Sequence, residues 1–361
     1  GIAPELRPMN QLIAAAGKAG RWKLSLCLLE KMPRLGTSPS TISYNSALAA
    51  LARAGEWKEA LELLEAMPAD SAPPDVISYS TAVAACQKGG AAQQAIDLLR
   101  RMNATSGAPA VAPNAVTFTA AVTALADAGR WREALRTYES MPPDVERSEA
   151  LLHAAVAAAA RGGQWRRAAA MLGVGAGASA AELMVAVPRA ASFNVAIRAC
   201  ADARQPDTAL ALLRRMGELG LRPSLLSYNA ALMALGAAGD VKGAVGLLDV
   251  MEAERVRPSL VSYNHALSAC AKAAAGEAAM DLLSRVRDAR LTPDVVSYTS
   301  AIAAFSRAGD LPAVLGLLGA MEEGGAEAQP NEWTWAAAIA ACERAGEWQQ
   351  ALALFEGLRA A

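Results

Sequence analysis

Between residues 56 and 67, Trp57, Ala60, Leu61 and Leu64 recur at i, i+3, i+4 and i+7, the single apolar face of an amphipathic helix. The residues before it predict another helix running to about Arg53, with Ser43 as its N-cap or a first-turn residue. Ala54-Gly55 breaks that helix, since glycine is free to take a left-handed C-cap. Pro68 and Pro73-Pro74 forbid continuation of the second helix. The segment therefore predicts an antiparallel helix pair joined by a short turn.

The pattern returns along the chain. A proline followed by Ser, Asp or Asn occurs at Pro39-Ser40, Pro74-Asp75, Pro113-Asn114, Pro223-Ser224, Pro258-Ser259, Pro293-Asp294 and Pro330-Asn331. After most of these, an aromatic stands at the fourth residue and Asn, Ser or Thr at the fifth, as in Tyr44-Asn45, Tyr79-Ser80, Phe118-Thr119, Tyr228-Asn229, Tyr263-Asn264 and Tyr298-Thr299. Alignment gives repeats 6–40, 41–75, 76–114, 115–148, 149–189, 190–224, 225–259, 260–294, 295–331 and 332–361, of which five have 35 residues. A fixed period of this length marks a solenoid of small helical units, each contacting only its neighbours. The expected architecture is all-α: a right-handed α-solenoid of about ten helix pairs, first helices inside, with 1–361 as a single array. Trp22, Trp57, Trp131, Trp165 and Trp348 share one place in the repeat and are expected as inter-helix core. Residues 142–189 are the least regular. The Gly173–Ala181 stretch and the Asn103–Ala112 insertion read as loops.

Composition narrows the function. The 361 residues are 53% hydrophobic but only 5% aromatic, much of the apolar content being alanine. The net charge of −1 gives no bulk attraction to nucleic acid, so any positive stripe must be local. The cysteines, Cys27, Cys86, Cys200, Cys270 and Cys342, are too far apart to form local zinc pairs and read as buried small hydrophobes. No phosphate loop, metal-ligand pair or nucleophile elbow appears, so no enzymatic activity and no cofactor are expected. The apolar run Ala154–Ala160 is too short to span a bilayer. The sequence runs from Gly1 straight into the first repeat, so no targeting segment is expected within these residues.

These features resemble the pentatricopeptide repeat family. TISYNSALAALARAGEWKEALELLEAMPADSAPPD (41–75) and LVSYNHALSACAKAAAGEAAMDLLSRVRDARLTPD (260–294) read as near-consensus units, and the resemblance covers essentially the whole chain. It implies single-stranded RNA binding, one base per repeat, 5′ to 3′ from the N- to the C-terminus. The base-reading pairs would be the fifth and last residues of each repeat: Asn10/Ser40, Asn45/Asp75, Ser80/Asn114, Thr119/Ser148, His153/Arg189, Asn194/Ser224, Asn229/Ser259, Asn264/Asp294 and Thr299/Asn331, with Ala336 unpaired. An Asp only accepts and suits the N–H on the pairing edge of uracil or guanine. A Ser hydroxyl can donate to cytosine, and Asn offers the donor and acceptor that adenine needs. With the family pattern this gives C-U-A-x-x-C-C-U-A-x, the blanks falling on Thr119/Ser148 and His153/Arg189. Second-position residues would sandwich each base: Ile42, Ile77, Val116, Leu226, Val261 and Val296, with Arg7, Ala150, Ala191 and Trp333 at the same position.

Eight residues after the fifth position, a basic residue stands in seven repeats: Lys18, Arg53, Lys88, Arg161, Lys272, Arg307 and Arg344. Two helical turns bring them near the reading face as a phosphate-tracking stripe. The same position is a helix C-terminus, where cations are favourable without any ligand. Family membership implies mitochondrial or chloroplast transcripts and other RNA-processing proteins as partners. Two other expectations stay open: a protein-binding helical scaffold, or the repeat portion of an RNA-processing enzyme.

Overall fold

A computed structural model describes residues 6–68, 72–104, 111–143, 145–175, 188–323 and 328–360. The chain divides into two compact bodies, Gly1–Met171 with Ala178–Ser192, and Leu172–Gly177 with Phe193–Ala361. The first body holds α1 (Leu6–Lys18), α2 (Trp22–Lys31), α3 (Thr41–Ala54), α4 (Trp57–Ala66), α5 (Val76–Lys88), α6 (Ala92–Ala104), α7 (Ala115–Asp127), α8 (Trp131–Glu139), α9 (Glu149–Arg161) and α10 (Trp165–Met171). Helix α11 (Ala190–Asp202) starts there and continues into the second body. The second body adds α12 (Pro206–Glu218), α13 (Leu225–Ala238), α14 (Val241–Ala253), α15 (Leu260–Ala273), α16 (Gly276–Asp288), α17 (Val295–Ala308), α18 (Leu311–Glu323), α19 (Glu332–Ala345) and α20 (Trp348–Ala360). Among the described residues there is no strand, and no helix is long and apolar enough to cross a membrane.

From the second repeat to the last, the first helix starts at the first residue of the repeat. The residue before it, the last of the preceding repeat, is in extended conformation wherever Ser, Asp or Asn stands there, as at Ser40, Asp75 and Ser259. Ser43 is therefore not the N-cap: Ser40 is, and Ser43 closes a capping box three residues in. At the tenth residue after the fifth position the chain turns left-handed in every repeat, at eight glycines and at Arg204 and Ala274.

Within the first body α1, α3, α5, α7 and α9 pack each on the next; in the second, α13, α15, α17 and α19 do the same. Second helices lie against their own partner and the following first helix, as α2 does on α1 and α3 and α14 on α13 and α15, and second helices make no comparable contact with one another among the described residues. Close-set first helices and splayed second helices curve each body with the first helices on the concave side. The core between the layers is built from fourth-position aromatics, with Tyr44, Phe118, Phe193, Tyr228, Tyr263, Tyr298 and Trp335 all buried. Cys86, Cys200, Cys270 and Cys342 are buried too, and burial pushes the Cys86, Cys200 and Cys270 thiols up to about 11, 12 and 11. These thiols stay protonated and inert.

The tryptophan stripe departs from expectation. Trp22, Trp57, Trp131 and Trp165 are only half-buried, and Trp348 is 70% exposed. Trp57 and Trp131 lie where a Cβ on Gly89 or Gly162 of the next repeat would stand, so one ring face packs on glycine backbone. The following residue, Lys58 or Arg132, places its cation 5.6 or 4.9 Å from the same ring's centroid. In the irregular repeat α10 has only seven residues. Residues 176–181 of the glycine-alanine stretch and 105–110 of the earlier insertion lie outside the described residues.

Candidate nucleic-acid interface

The fifth-position residues are tied across repeats by a residue type that the sequence reading passed over. The third residue of most repeats is a fully buried hydroxyl: Ser43, Ser78, Thr117, Ser192, Ser227, Ser262, Ser297 and Thr334. A buried hydroxyl needs a partner. Ser43 Oγ donates to Asn10 Oδ1 at 2.6 Å, Ser78 to Asn45 at 2.7 Å, and Ser227, Ser262 and Ser297 to Asn194, Asn229 and Asn264 at 2.6 Å each. Where the fifth residue is itself a hydroxyl the bond persists, Ser80 with Thr117 at 2.8 Å and Thr299 with Thr334 at 2.7 Å. Each bond fixes the rotamer of a fifth-position side chain and orients its amide, with Nδ2 on the side away from the hydroxyl.

The last residues of the repeats are held just as firmly. Asp75 Oδ1 accepts from Ser78 N at 2.8 Å. Asn114 Oδ1 accepts from Thr117 N at 3.0 Å, and Asn331 Oδ1 from Thr334 N at 2.9 Å. A backbone N–H can only donate, so each cap presents its oxygen inward. Asn114 and Asn331 are left with an amino donor facing out, and Asp75 with Oδ2. In the Asn/Asp repeats the pair also joins itself: Asn45 Nδ2 lies 3.1 and 3.3 Å from the Asp75 oxygens, and Asn264 Nδ2 lies 3.2 and 3.3 Å from those of Asp294. Burial raises the Asp75 pKa, but the bonds from Ser78, Asn45 and Ile77 together outweigh it and hold the carboxyl below its ordinary value.

Beside these polar pairs runs an exposed apolar row. Ile42, Ile77, Val116, Leu226, Val261 and Val296 are 52–66% exposed, and Trp333 is 78% exposed. An aliphatic side chain at this exposure on the first turn of every regular first helix contributes nothing to the core. Such a row marks a contact surface.

The basic positions are engaged with the frame. Lys272 Nζ donates to the Ala237 carbonyl at 3.1 Å, and Lys88 and Arg307 donate to the carbonyls of Arg53 and Ala271. Arg344 Nη1 lies 2.8 Å from the Ser306 carbonyl. All four acceptors sit in the last turn of the preceding repeat's first helix, so the cations cap a neighbouring C-terminus. Arg161 instead pairs with Asp127 at 2.9 Å, the equivalent position one repeat earlier. Arg53 Nε donates to Ala49 O at 3.1 Å, and Lys18 closes α1. All seven remain exposed.

The irregular repeats break the scheme. Thr119 meets Ser148 Oγ at only 3.4 Å, because the third residue of the next repeat is Leu151 instead of a hydroxyl. His153 Nδ1 lies 3.1 Å from Ser192 Oγ, and Arg189 ion-pairs with Glu149. The other histidine, His265, is half-buried, and burial and then Arg198 hold its pKa below the ordinary value.

Family descriptions match most of the chain: "PPR repeat family" over 39–88, "Pentatricopeptide repeat domain" over 190–240, 211–273 and 246–307, and "PPR repeat" over 8–37, 116–142, 296–325 and 333–360. This chain belongs to the pentatricopeptide repeat family. Among solved structures, the pentatricopeptide repeat protein PPR10 from maize is similar at 22% identity and a TM-score of 0.51, over 99% of this chain and 55% of that one. The chain thus spans about half the length of PPR10. PPR10 in complex with an 18-nt psaJ RNA element matches at 22% identity and a TM-score of 0.48, over 98% of this chain and 54% of that one. The PPR domain of Arabidopsis thaliana protein-only RNase P 1, in complex with tRNA, matches at 19% and 0.40, over 45% of this chain and 85% of that one. No curated protein sequence matches. The maize likeness establishes the helical-repeat fold expected of a pentatricopeptide repeat chain.

Proposed function

We propose that this chain binds single-stranded RNA, one base per repeat, with the first repeat at the 5′ end, and that it works as a binding module without catalytic chemistry or a cofactor of its own. The observation that carries the reading is the exposed apolar row beside polar pairs whose orientation is already fixed. Bases offer π-faces to the row at Ile42, Ile77, Val116, Leu226, Val261 and Val296. Their edges then meet groups pre-set by capping: outward acceptors at Asp75 and Asp294, outward donors at Asn114 and Asn331, and hydroxyls at Ser40, Ser224 and Ser259. This preorganisation lowers the ordering cost of binding. The strand that fits is C-U-A-x-x-C-C-U-A-x. Family membership supports transcripts of mitochondria or chloroplasts as targets, and RNA processing, stability, editing or translation as the process served.

The test is a substitution that keeps the frame. Ser259→Asp retains the N-cap of α15 and exchanges a donating hydroxyl for an acceptor-only carboxylate. A mismatched polar edge costs on the order of 1–3 kcal/mol, roughly fivefold to over a hundredfold in affinity. Preference at the seventh base of C-U-A-A-A-C-C-U-A should move from C to U while the second base is unaffected. Equal binding of both strands by both proteins would falsify base reading and favour a protein-binding scaffold.

A further inference from the structure

Every repeat-ending residue before a described first helix is Ser, Asp or Asn except Arg189. Arginine carries five donors and no acceptor, so it cannot take the free N–H groups of α11, and its charge opposes the positive end of that helix. It serves no capping role, and its contact with the frame is the ion pair with Glu149. A residue that breaks a local rule without structural return points to function.

Two further departures coincide with it. The second-position residues flanking the site are Ala150 and Ala191, where regular repeats carry Ile, Val or Leu. The missing side chains leave a cavity of about 350 Å³ on the reading face, within the first body, with Thr119, Asp127, Glu149, His153, Arg161 and Arg189 as its polar walls. That volume lies in the range of small-ligand sites, about 300–1,000 Å³. Inside it Arg189 Nε pairs with the buried Glu149 Oε1. His153 is pinned by Ser192, and Arg161 is occupied by Asp127. The site therefore offers a forked donor next to a carboxylate acceptor, in a space walled by alanine at both flanking second positions.

We infer that repeat 149–189 reads guanine as the fifth base, with Arg189 and Glu149 as the specificity-determining residues. Guanine combines acceptors O6 and N7, which suit the arginine fork, with N1–H and N2–H₂ donors that suit the carboxylate. Adenine turns an amino donor toward arginine, and pyrimidines lack the second ring that fills the cavity. The inference rests on the base-per-repeat reading above and completes its blank position.

The experiment is binding of the full chain to C-U-A-A-N-C-C-U-A with each base at N, alongside a scrambled strand. The expected result is tightest binding with G, by about fivefold to a hundredfold. Arg189→Ser should level the four strands, and Arg189→Lys, which keeps the charge and loses the fork, should level them while retaining overall affinity. Circular dichroism checks the fold, and Arg189→Ser, which restores an N-cap, should be at least as stable as wild type. Discrimination against the scrambled strand with no preference, or another preference, at N overturns the guanine assignment alone. Failure to discriminate even the scrambled strand overturns both this assignment and base reading. A uniform loss with Arg189→Ser that Arg189→Lys spares, with no preference in wild type, identifies Arg189 as a phosphate contact and sinks the proposal.

Discussion

Ala274 and Arg204 hold left-handed backbone, φ +54° and +55°, at a position where eight sister repeats place glycine. A Cβ in this region is crowded by the following carbonyl, a strain that exceeds the extra chain entropy of glycine. Ala274→Gly and Arg204→Gly should each stabilise the chain by about 0.5–1 kcal/mol, read as a raised urea midpoint; a lowered midpoint would refute the strain argument. Asp75 makes a second residue-scale case. Its folded pKa lies below the ordinary carboxyl value because of the bonds from Ser78, Asn45 and Ile77. A depressed carboxyl contributes stability that is present above the unfolded pKa and is lost as pH falls through the folded one. Acid titration of stability should therefore be steeper in wild type than in Asp75→Asn, which keeps the cap but does not titrate. Coincident pH profiles would contradict this.

The helices themselves were legible, because proline, glycine and the apolar stripe mark their ends locally: α3 and α4 span 41–54 and 57–66 against expected ends at about 53 and 56–67. The cap was also within reach, since Ser40 and Ser43, or Asp75 and Ser78, are capping-box pairs three residues apart. What could not be read was the bond from each third-position hydroxyl to the fifth position of the repeat before. Its partners lie 33 or more residues apart and meet only when first helices stack. Nor could propensity reveal how closely those helices approach. A Cβ on Gly236 of α13 would stand 2.5 Å from the His265 carbonyl oxygen of α15, whereas one on Gly246 of α14 would meet nothing within 4 Å. Helix propensity alone favours alanine at both by up to about 1 kcal/mol. Gly246→Ala should realise that gain, and Gly236→Ala should instead lose about 1–3 kcal/mol by forcing backbones apart. Similar effects at the two sites, in parallel denaturant melts, would mean the first helices are not held at this distance.

At the scale of the whole chain, 34 basic residues nearly balance 35 acidic ones, so attraction to a polyanion must come from placement. The seven cations of the repeat stripe are candidates, yet Lys88, Lys272, Arg307 and Arg344 already donate to helix-end carbonyls and Arg161 to Asp127. These contacts are exposed, and a carbonyl leaves charge on the cation, so capping and phosphate contact are compatible at the first four. Arg161 is different, because its partner is a full negative charge. Each neutralised phosphate on a single strand adds about −0.7 to the slope of log affinity against log salt. With seven contributors the slope is about −5 at its steepest, and with Arg161 held by Asp127 it should be shallower. Lys88→Ala should flatten the slope by about 0.7 for any strand and lower stability slightly, having lost a cap on α3. Arg161→Ala should leave the slope nearly unchanged, and Asp127→Ala, which frees Arg161, should steepen it by about 0.7. Binding isotherms of the three variants across a salt series decide the matter. If Lys88→Ala lowers stability but leaves the slope untouched, the stripe serves only to join one repeat to the next.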